Sequence, residues 1–220
     1  MEQKKKFKLI FILGLLTSIG PFSVDMYLPA FNLIAVDLNT SISNVMYSLS
    51  TYFIGISFGQ LIYGPLLEKF GRKKPIYVGL VIYLMASLGC IVAFNVDMLI
   101  AMRFFQAIGG CVGMVAARAM VRDLFPPTEF AKIFSSLMLI VAVSPILAPT
   151  FGGYVTAFLG WHYVFVFLFI LVSAIFVAVY YLLPQSRTPD HSISLKPLPM
   201  VKSYINVFKN IQFTTYALTG

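Results

Sequence analysis

Apolar residues along this chain gather in long blocks separated by short polar clusters. Five blocks run almost free of charge: Asn44 to Leu67, Pro75 to Val96, Met98 to Ala117 (which holds Arg103), Ile133 to Gly160, and Tyr163 to Leu183. A sixth, Leu9 to Phe31, carries Asp25. Each reaches the roughly 20 residues that a helix needs to cross a hydrocarbon core. Helices satisfy their own backbone groups in lipid, so long apolar blocks of this kind predict membrane-spanning helices. Lys4, Lys5, Lys6 and Lys8 ahead of the first block resemble the start of a secretory leader. The block is too long for a leader core, however, and Asp25 and Pro29 interrupt it. The pattern predicts six spans.

Composition agrees with that reading and excludes others. The 220 residues are 59% hydrophobic and 11% charged, whereas soluble domains carry roughly 25% charged residues. A soluble enzyme, a disordered tail and a disulfide-stapled secreted module are all excluded. Cys90 and Cys111 lie inside apolar blocks and read as packing residues. The net charge of +8 by itself suggests nucleic acid, but its placement decides otherwise. With the N-terminus inside, 15 of the 16 basic residues fall in cytoplasmic segments, and the outer loops hold only Asp37 and Asp97. This is the positive-inside pattern, with basic residues facing an anionic leaflet. The bilayer is therefore the expected partner, and nucleic acid is not. Two distant histidines, with no carboxylate-rich motif and no nucleophile–base pair, give no support to an enzyme, a metal site or a cofactor.

The chain divides into a basic N-terminus (1–8), a six-helix bundle (9–183), a Pro-punctuated cytoplasmic linker (184–210) and an apolar stretch (211–220) that reads as the truncated start of a seventh span. Within the linker, Val201 to Asn210 has the character of a short basic amphipathic helix.

Ionisable groups inside a span cost several kcal/mol and are functional candidates by default. Asp25 lies about 25 Å along the helix from Lys8, and Arg103 about 9 Å from Asp97, so both fall in the outer half of the membrane. That shared depth predicts that they face one cavity and influence each other, form a buried ion pair that fixes helix packing, or snorkel to the lipid edge. Asp25 aligns with Ser18, Pro21 and Pro29, and Arg103 with Gln106, Gly110 and Gly113. Such stripes must face protein or water rather than lipid. Gly55-x-x-x-Gly59 and Gly109-x-x-x-Gly113 permit close helix contacts.

The turn between the second and third spans reads Gly64-Pro65-Leu66-Leu67-Glu68-Lys69-Phe70-Gly71-Arg72-Lys73-Lys74-Pro75. It resembles the signature loop of the major facilitator superfamily, with Glu68 for the usual Asp and Lys69 for the usual Arg. Three further matches follow in order. Asp25-Met26-Tyr27-Leu28-Pro29-Ala30 resembles the first-span motif of drug/proton antiporters. Arg103-Phe104-Phe105-Gln106-Ala107-Ile108-Gly109 resembles their fourth-span motif, and Ala148-Pro149-Thr150-Phe151-Gly152-Gly153 their fifth-span motif. Ala148 in place of the first Gly, together with Gly160-Trp161-His162-Tyr163-Val164-Phe165, is similar to the bicyclomycin/chloramphenicol-resistance (Bcr/CflA) subfamily, with His162 where Arg is usual.

The resemblance implies an all-α integral membrane protein, the N-terminal half of a two-half fold built from a three-plus-three inverted repeat. It implies proton-coupled efflux of lipophilic drugs, cationic or neutral, across a bacterial inner membrane. The partners would be drugs, protons, the bilayer and a C-terminal six-helix half, and no cofactor is involved. Asp25 would exchange a proton for drug, aided by Arg103, Gln106 and Tyr27, with Met26 and Met114 as adaptable contacts. Gly64, Glu68, Gly71, Arg72 and Asp123 would form a conformational latch in which Glu68 meets a helix N-terminus of the other half and Arg72 pairs with Asp123. Pro145, Pro149, Gly152 and Gly153 would kink the fifth span and let it pack closely. The alternatives are a half-size membrane subunit, completed by self-association or by a separate half, and a non-transporting or interaction fragment.

Overall fold

A computed structural model describes residues 3–186, 188–190 and 215, with side chains from Lys6 onward. The Val201 to Asn210 helix and, apart from Thr215, the 211–220 stretch lie outside the described residues. Among the described residues every regular element is helical: α1 (Gln3–Asp25), α2 (Phe31–Asp37), α3 (Ile42–Lys69), α4 (Lys73–Ile91), α5 (Val96–Leu124), α6 (Phe130–Leu159) and α7 (His162–Leu182). Short 3₁₀ turns at Leu28–Ala30 and Pro127–Glu129 precede α2 and α6. Among the described residues, six helical segments are long and apolar enough to cross a membrane, and α1 and α2 together make the first of them, Lys6 to Asp37. The third span ends earlier than the apolar pattern suggests, at Ile91 rather than Val96; α3 and α5 extend beyond their apolar blocks at both ends, α6 starts earlier than its block, and α7 matches its block to within one residue at each end. Helices run on into water wherever caps allow. At the far end of the bundle, Ser41 accepts the Asn44 N–H at 3.2 Å and Asn95 accepts the Met98 N–H at 2.8 Å, so α3 and α5 each start on a capping side chain.

The first span is not one helix. Pro21 lies inside α1, and α1 stops at Asp25, where Pro29 opens a 3₁₀ turn. Asp25 therefore stands at a helix end, and Met26 and Tyr27 lie in the break.

α5 occupies the centre and packs on α3, α4 and α1; α6 lies on α1, and α7 on α4 and α1. Glycines make these approaches possible. A methyl on Gly55 would press on the Phe104 carbonyl, one on Gly109 on the Tyr83 backbone, one on Gly113 on the Leu16 carbonyl, and one on Gly152 on the Met26 carbonyl. Backbone cannot swing aside as a side chain can, so these positions set the helix separations. The core divides in two. One apolar cluster, from Leu9–Ile19 to Val179 and Leu183, fills the end that carries the basic turns. A second, around Met26, Ile34, Leu99, Trp161 and Phe165, fills the far end. There the Trp161 indole donates to Asp37 at 2.9 Å and stacks on His162. Gly160, at φ 101°, makes the α6–α7 corner that a side chain would strain.

Candidate functional site

Between the two apolar clusters lie polar side chains supplied by α1, its break, α3, α4 and α5. Their hydrogen bonds have a direction. Arg103 donates from Nη1 to Gln106 Oε1 at 2.7 Å, Gln106 donates to Ser87 at 2.8 Å, and Ser87 donates to the Tyr83 carbonyl at 2.8 Å. Ser23 donates to the Ile19 carbonyl, which leaves the Tyr83 hydroxyl to donate to Ser23 at 2.6 Å. Likewise Ser48 donates to the Val45 carbonyl, and the Tyr27 hydroxyl donates to Ser48 at 2.7 Å. Each of these side chains is buried, Arg103 and Gln106 completely so.

The guanidinium of Arg103 sits between two aromatic faces. Its Cζ is 4.1 Å from the Tyr52 ring centre and 4.4 Å from that of Tyr27, with Phe165 at 5.8 Å. Among the described residues no carboxylate comes within ion-pair distance of it. Asp25 is half-buried at the α1 terminus, and its partner is Ser144 of α6, whose hydroxyl donates at 3.4 Å. The Asp25–Arg103 ion pair that shared depth allows is therefore not formed. The break turns the chain at Asp25, so Tyr27 faces Arg103 while Asp25 faces α6. The stripe of Arg103, Gln106, Gly110 and Gly113 faces packed protein rather than a cavity, because α1, α3 and α4 close over it. Tyr27 and Met26 are completely buried. Met114 is half-buried, near the Gln60 amide. His162 lies at the α6–α7 corner against Trp161.

At the basic end, the turn after α3 is built on Gly71, whose φ of 77° requires glycine. It delivers Arg72 into a nearly dry site, 1% exposed. Arg72 grips Asp123 of α5 with both prongs of its fork, Nε at 2.7 Å and Nη2 at 3.2 Å, and meets Glu68 at 3.2 Å through Nη1 and Nη2. Burial alone pulls the Arg72 pKa down; Asp123 and Glu68 outweigh it and hold it above the ordinary arginine value. Arg122 approaches Glu68 at 3.9 Å, and Ser186 beyond α7 donates to Asp123 at 3.2 Å. Glu68 lines a cleft of about 450 Å³ together with Gly64 and Arg72. Lys6 pairs with Glu129 at 2.6 Å and ties α1 to the start of α6.

Breaking a buried, bidentate pair strands its partner charge and costs about 3–5 kcal/mol. Arg72→Asp and Asp123→Arg should each lower the melting temperature of the purified protein. The double exchange should restore part of the loss, though not all, because Asp at position 72 meets Glu68. Simple addition of the two losses would rule out direct pairing as the source of stability.

On α6, the fifth-span residues separate. Pro145 and Pro149 lie inside a continuous helix, Gly152 packs on the break of the first span, and Gly153 has open space around it. Tyr52, Ser48 and Ser144 are site residues absent from the motif-based set. The signal for the first two was present in the sequence: Val45, Ser48, Tyr52, Gly55, Gly59 and Tyr63 recur at helical spacing along one face of α3.

The family model described as Major Facilitator Superfamily matches residues 13–219. An uncharacterized MFS-type transporter of Bacillus subtilis is 39% identical over 98% of this chain. A bicyclomycin resistance protein homolog of Haemophilus influenzae is 32% identical over 98%, and multidrug resistance protein D of Escherichia coli is 30% identical over 99%. Each alignment covers 54% of the relative, so the chain spans about half the length of the curated relatives it matches.

Proposed function

The chain belongs to the major facilitator superfamily, and from that membership we propose that it forms the N-terminal six-helix half of a proton-coupled drug efflux transporter of the bacterial inner membrane, with its N-terminus in the cytoplasm. The observation that carries the proposal is the break at Asp25. A titratable carboxyl stands at a helix end inside the first span, half-buried, beside a sealed cationic layer. A proton and a lipophilic drug, cationic or neutral, compete for that carboxyl, and the competition exchanges inward proton for outward drug. Arg103, Gln106 and Tyr27 hold the layer behind it.

A second six-helix half completes the pathway. The length of the relatives supports this, as do the large apolar side chains that α3 and α6 leave uncovered, among them Phe53, Phe58, Ile146 and Phe151. The Glu68–Arg72–Asp123 cluster acts as the latch that sets the balance between inward-open and outward-open states. Pro145, Pro149 and Gly152 keep α6 seated against the break.

Drug susceptibility of an efflux-deficient host expressing the chain tests the proposal, with membrane insertion confirmed and with structurally unrelated compounds given with and without a protonophore. Resistance abolished by the protonophore is expected once a second six-helix half is supplied. Resistance from the 220-residue chain alone would identify a half-size transporter that self-associates. No resistance with both halves inserted would overturn drug efflux.

A further inference from the structure

Buried arginines inside a membrane bundle ordinarily meet a carboxylate. Arg103 does not: it is completely buried and its charge is met by ring faces. One prong of the guanidinium is used on Gln106. The edge formed by Nε and Nη2, the fork that Arg72 uses on Asp123, has no hydrogen-bond partner among the described residues. Position on the fork is therefore not what holds Arg103 in place. The two flanking rings are, and they come from different parts of the fold, Tyr27 from the break two residues beyond Asp25 and Tyr52 from the buried face of α3.

The two rings differ in one respect. The Tyr27 hydroxyl is anchored on Ser48, whereas the Tyr52 hydroxyl is buried beside Ser23, which already serves the Ile19 carbonyl and the Tyr83 hydroxyl, and it makes no well-formed hydrogen bond of its own. A buried, unmade hydroxyl destabilises, so the hydroxyl does not account for the residue. Its ring face does, stacked against a desolvated cation where such a contact is strongest.

We infer that Tyr52 is a positioning residue, the α3 wall of an aromatic clamp that holds the Arg103 guanidinium without a countercharge and couples it, through Tyr27, to the Asp25 break. The coupling runs through contact. Any rearrangement of the break moves Tyr27, opens one side of the clamp and frees the Nε–Nη2 edge. Tyr52 keeps the guanidinium in register while that happens. The coupling to Asp25 rests on the transport reading above, but the clamp itself does not.

The test compares Tyr52→Phe, which keeps the face and removes the orphaned hydroxyl, with Tyr52→Leu, which keeps bulk and removes the face. The first readout is independent of transport. In protein labelled with ¹⁵N-arginine and placed in nanodiscs, the Arg103 Nε–H signal, assigned by its loss in Arg103→Lys, should carry a ring-current shift. That shift should persist in Tyr52→Phe and shrink markedly in Tyr52→Leu. The second readout is proton-driven drug transport per inserted molecule in the assembled transporter. It should stay within about twofold of the parent in Tyr52→Phe and fall about tenfold or more in Tyr52→Leu, the scale of a desolvated cation–π contact. Melting of Tyr52→Phe should equal or exceed that of the parent.

An unmoved Nε–H signal in Tyr52→Leu would overturn the clamp. Equal loss of transport in both variants would also overturn it, by assigning the role to the hydroxyl. A shifted signal with full transport in Tyr52→Leu would leave the clamp as a structural contact and overturn its coupling to Asp25. If the parent protein transports nothing, the efflux reading fails and the NMR arm still decides the clamp.

Discussion

Asp25→Asn is expected to abolish proton-driven drug efflux while the protein inserts and accumulates normally. The substitution is nearly isosteric, and its amide oxygen can still accept the hydrogen bond that Ser144 donates at 3.4 Å. What it removes is the ability to take up and release a proton. Since Asp25 forms no ion pair with Arg103, no buried charge is stranded by the change, and packing of the polar layer should survive it. Removing a positioned proton-transfer group typically costs 100-fold or more, so a loss of that order is expected in drug uptake by energised inverted vesicles. Exchange of labelled for unlabelled drug with no proton gradient should persist, because that half-reaction moves no proton. Efflux at the parental rate would remove Asp25 from the mechanism.

The second large effect concerns two adjacent glycines that read alike in the sequence. Gly152→Ala should destabilise strongly, and Gly153→Ala should not. A methyl at position 152 meets the backbone of Met26, and neither the break nor α6 can yield by rotating a side chain. Overpacking of this kind costs about 1–3 kcal/mol and occasionally more. A methyl at position 153 meets nothing, and within a helix alanine is favoured over glycine by about 1 kcal/mol. Thermal melting in detergent should drop by about 5–10 °C for Gly152→Ala and stay level or rise for Gly153→Ala. Equal behaviour of the two variants would show that α6 does not rest on the first-span break. Because Met26 follows Asp25 directly, Gly152→Ala should also slow transport beyond what the loss of folded protein explains.

These cases show where the sequence was informative. Span count follows from apolar length, since lipid forces each backbone to satisfy itself. The Arg72–Asp123 pair came only through the family resemblance, because spacing along the chain does not bring the turn after α3 to the end of α5. The depth of Asp25 and Arg103 was accessible too, but their mutual orientation was not. Depth comes from counting along a helix; direction depends on where the first span breaks, and a proline pair does not say which way the released chain turns. For the same reason the stripe through Arg103 and Gln106 could be placed against protein or water, yet not assigned to either. Tyr52 and Ser48 are not flagged by charge, since the face of α3 that holds them carries none. Ser144 belongs to the polar set for a different reason. On α6 the hydroxyls of Ser135, Ser136 and Thr150 fold back onto their own helix; Ser144 reaches across to Asp25, and nothing local distinguishes it.

The clamp around Arg103 also bears on how the chain is made. A ribosome delivers the spans in order, and an arginine entering the bilayer alone faces a penalty of about 2.5–3.5 kcal/mol even on translocon-based scales. Tyr27, Ser48, Tyr52 and Ser87 all precede Arg103 in the chain, and Gln106 follows it by a single helical turn. When α5 leaves the translocon, both walls of its cage and the end of its hydrogen-bond chain are already in the membrane. Asp25 has the opposite schedule, since Ser144 is synthesised 119 residues later. The cation is therefore sheltered as it arrives, and the carboxyl waits for its partner until α6 is in place.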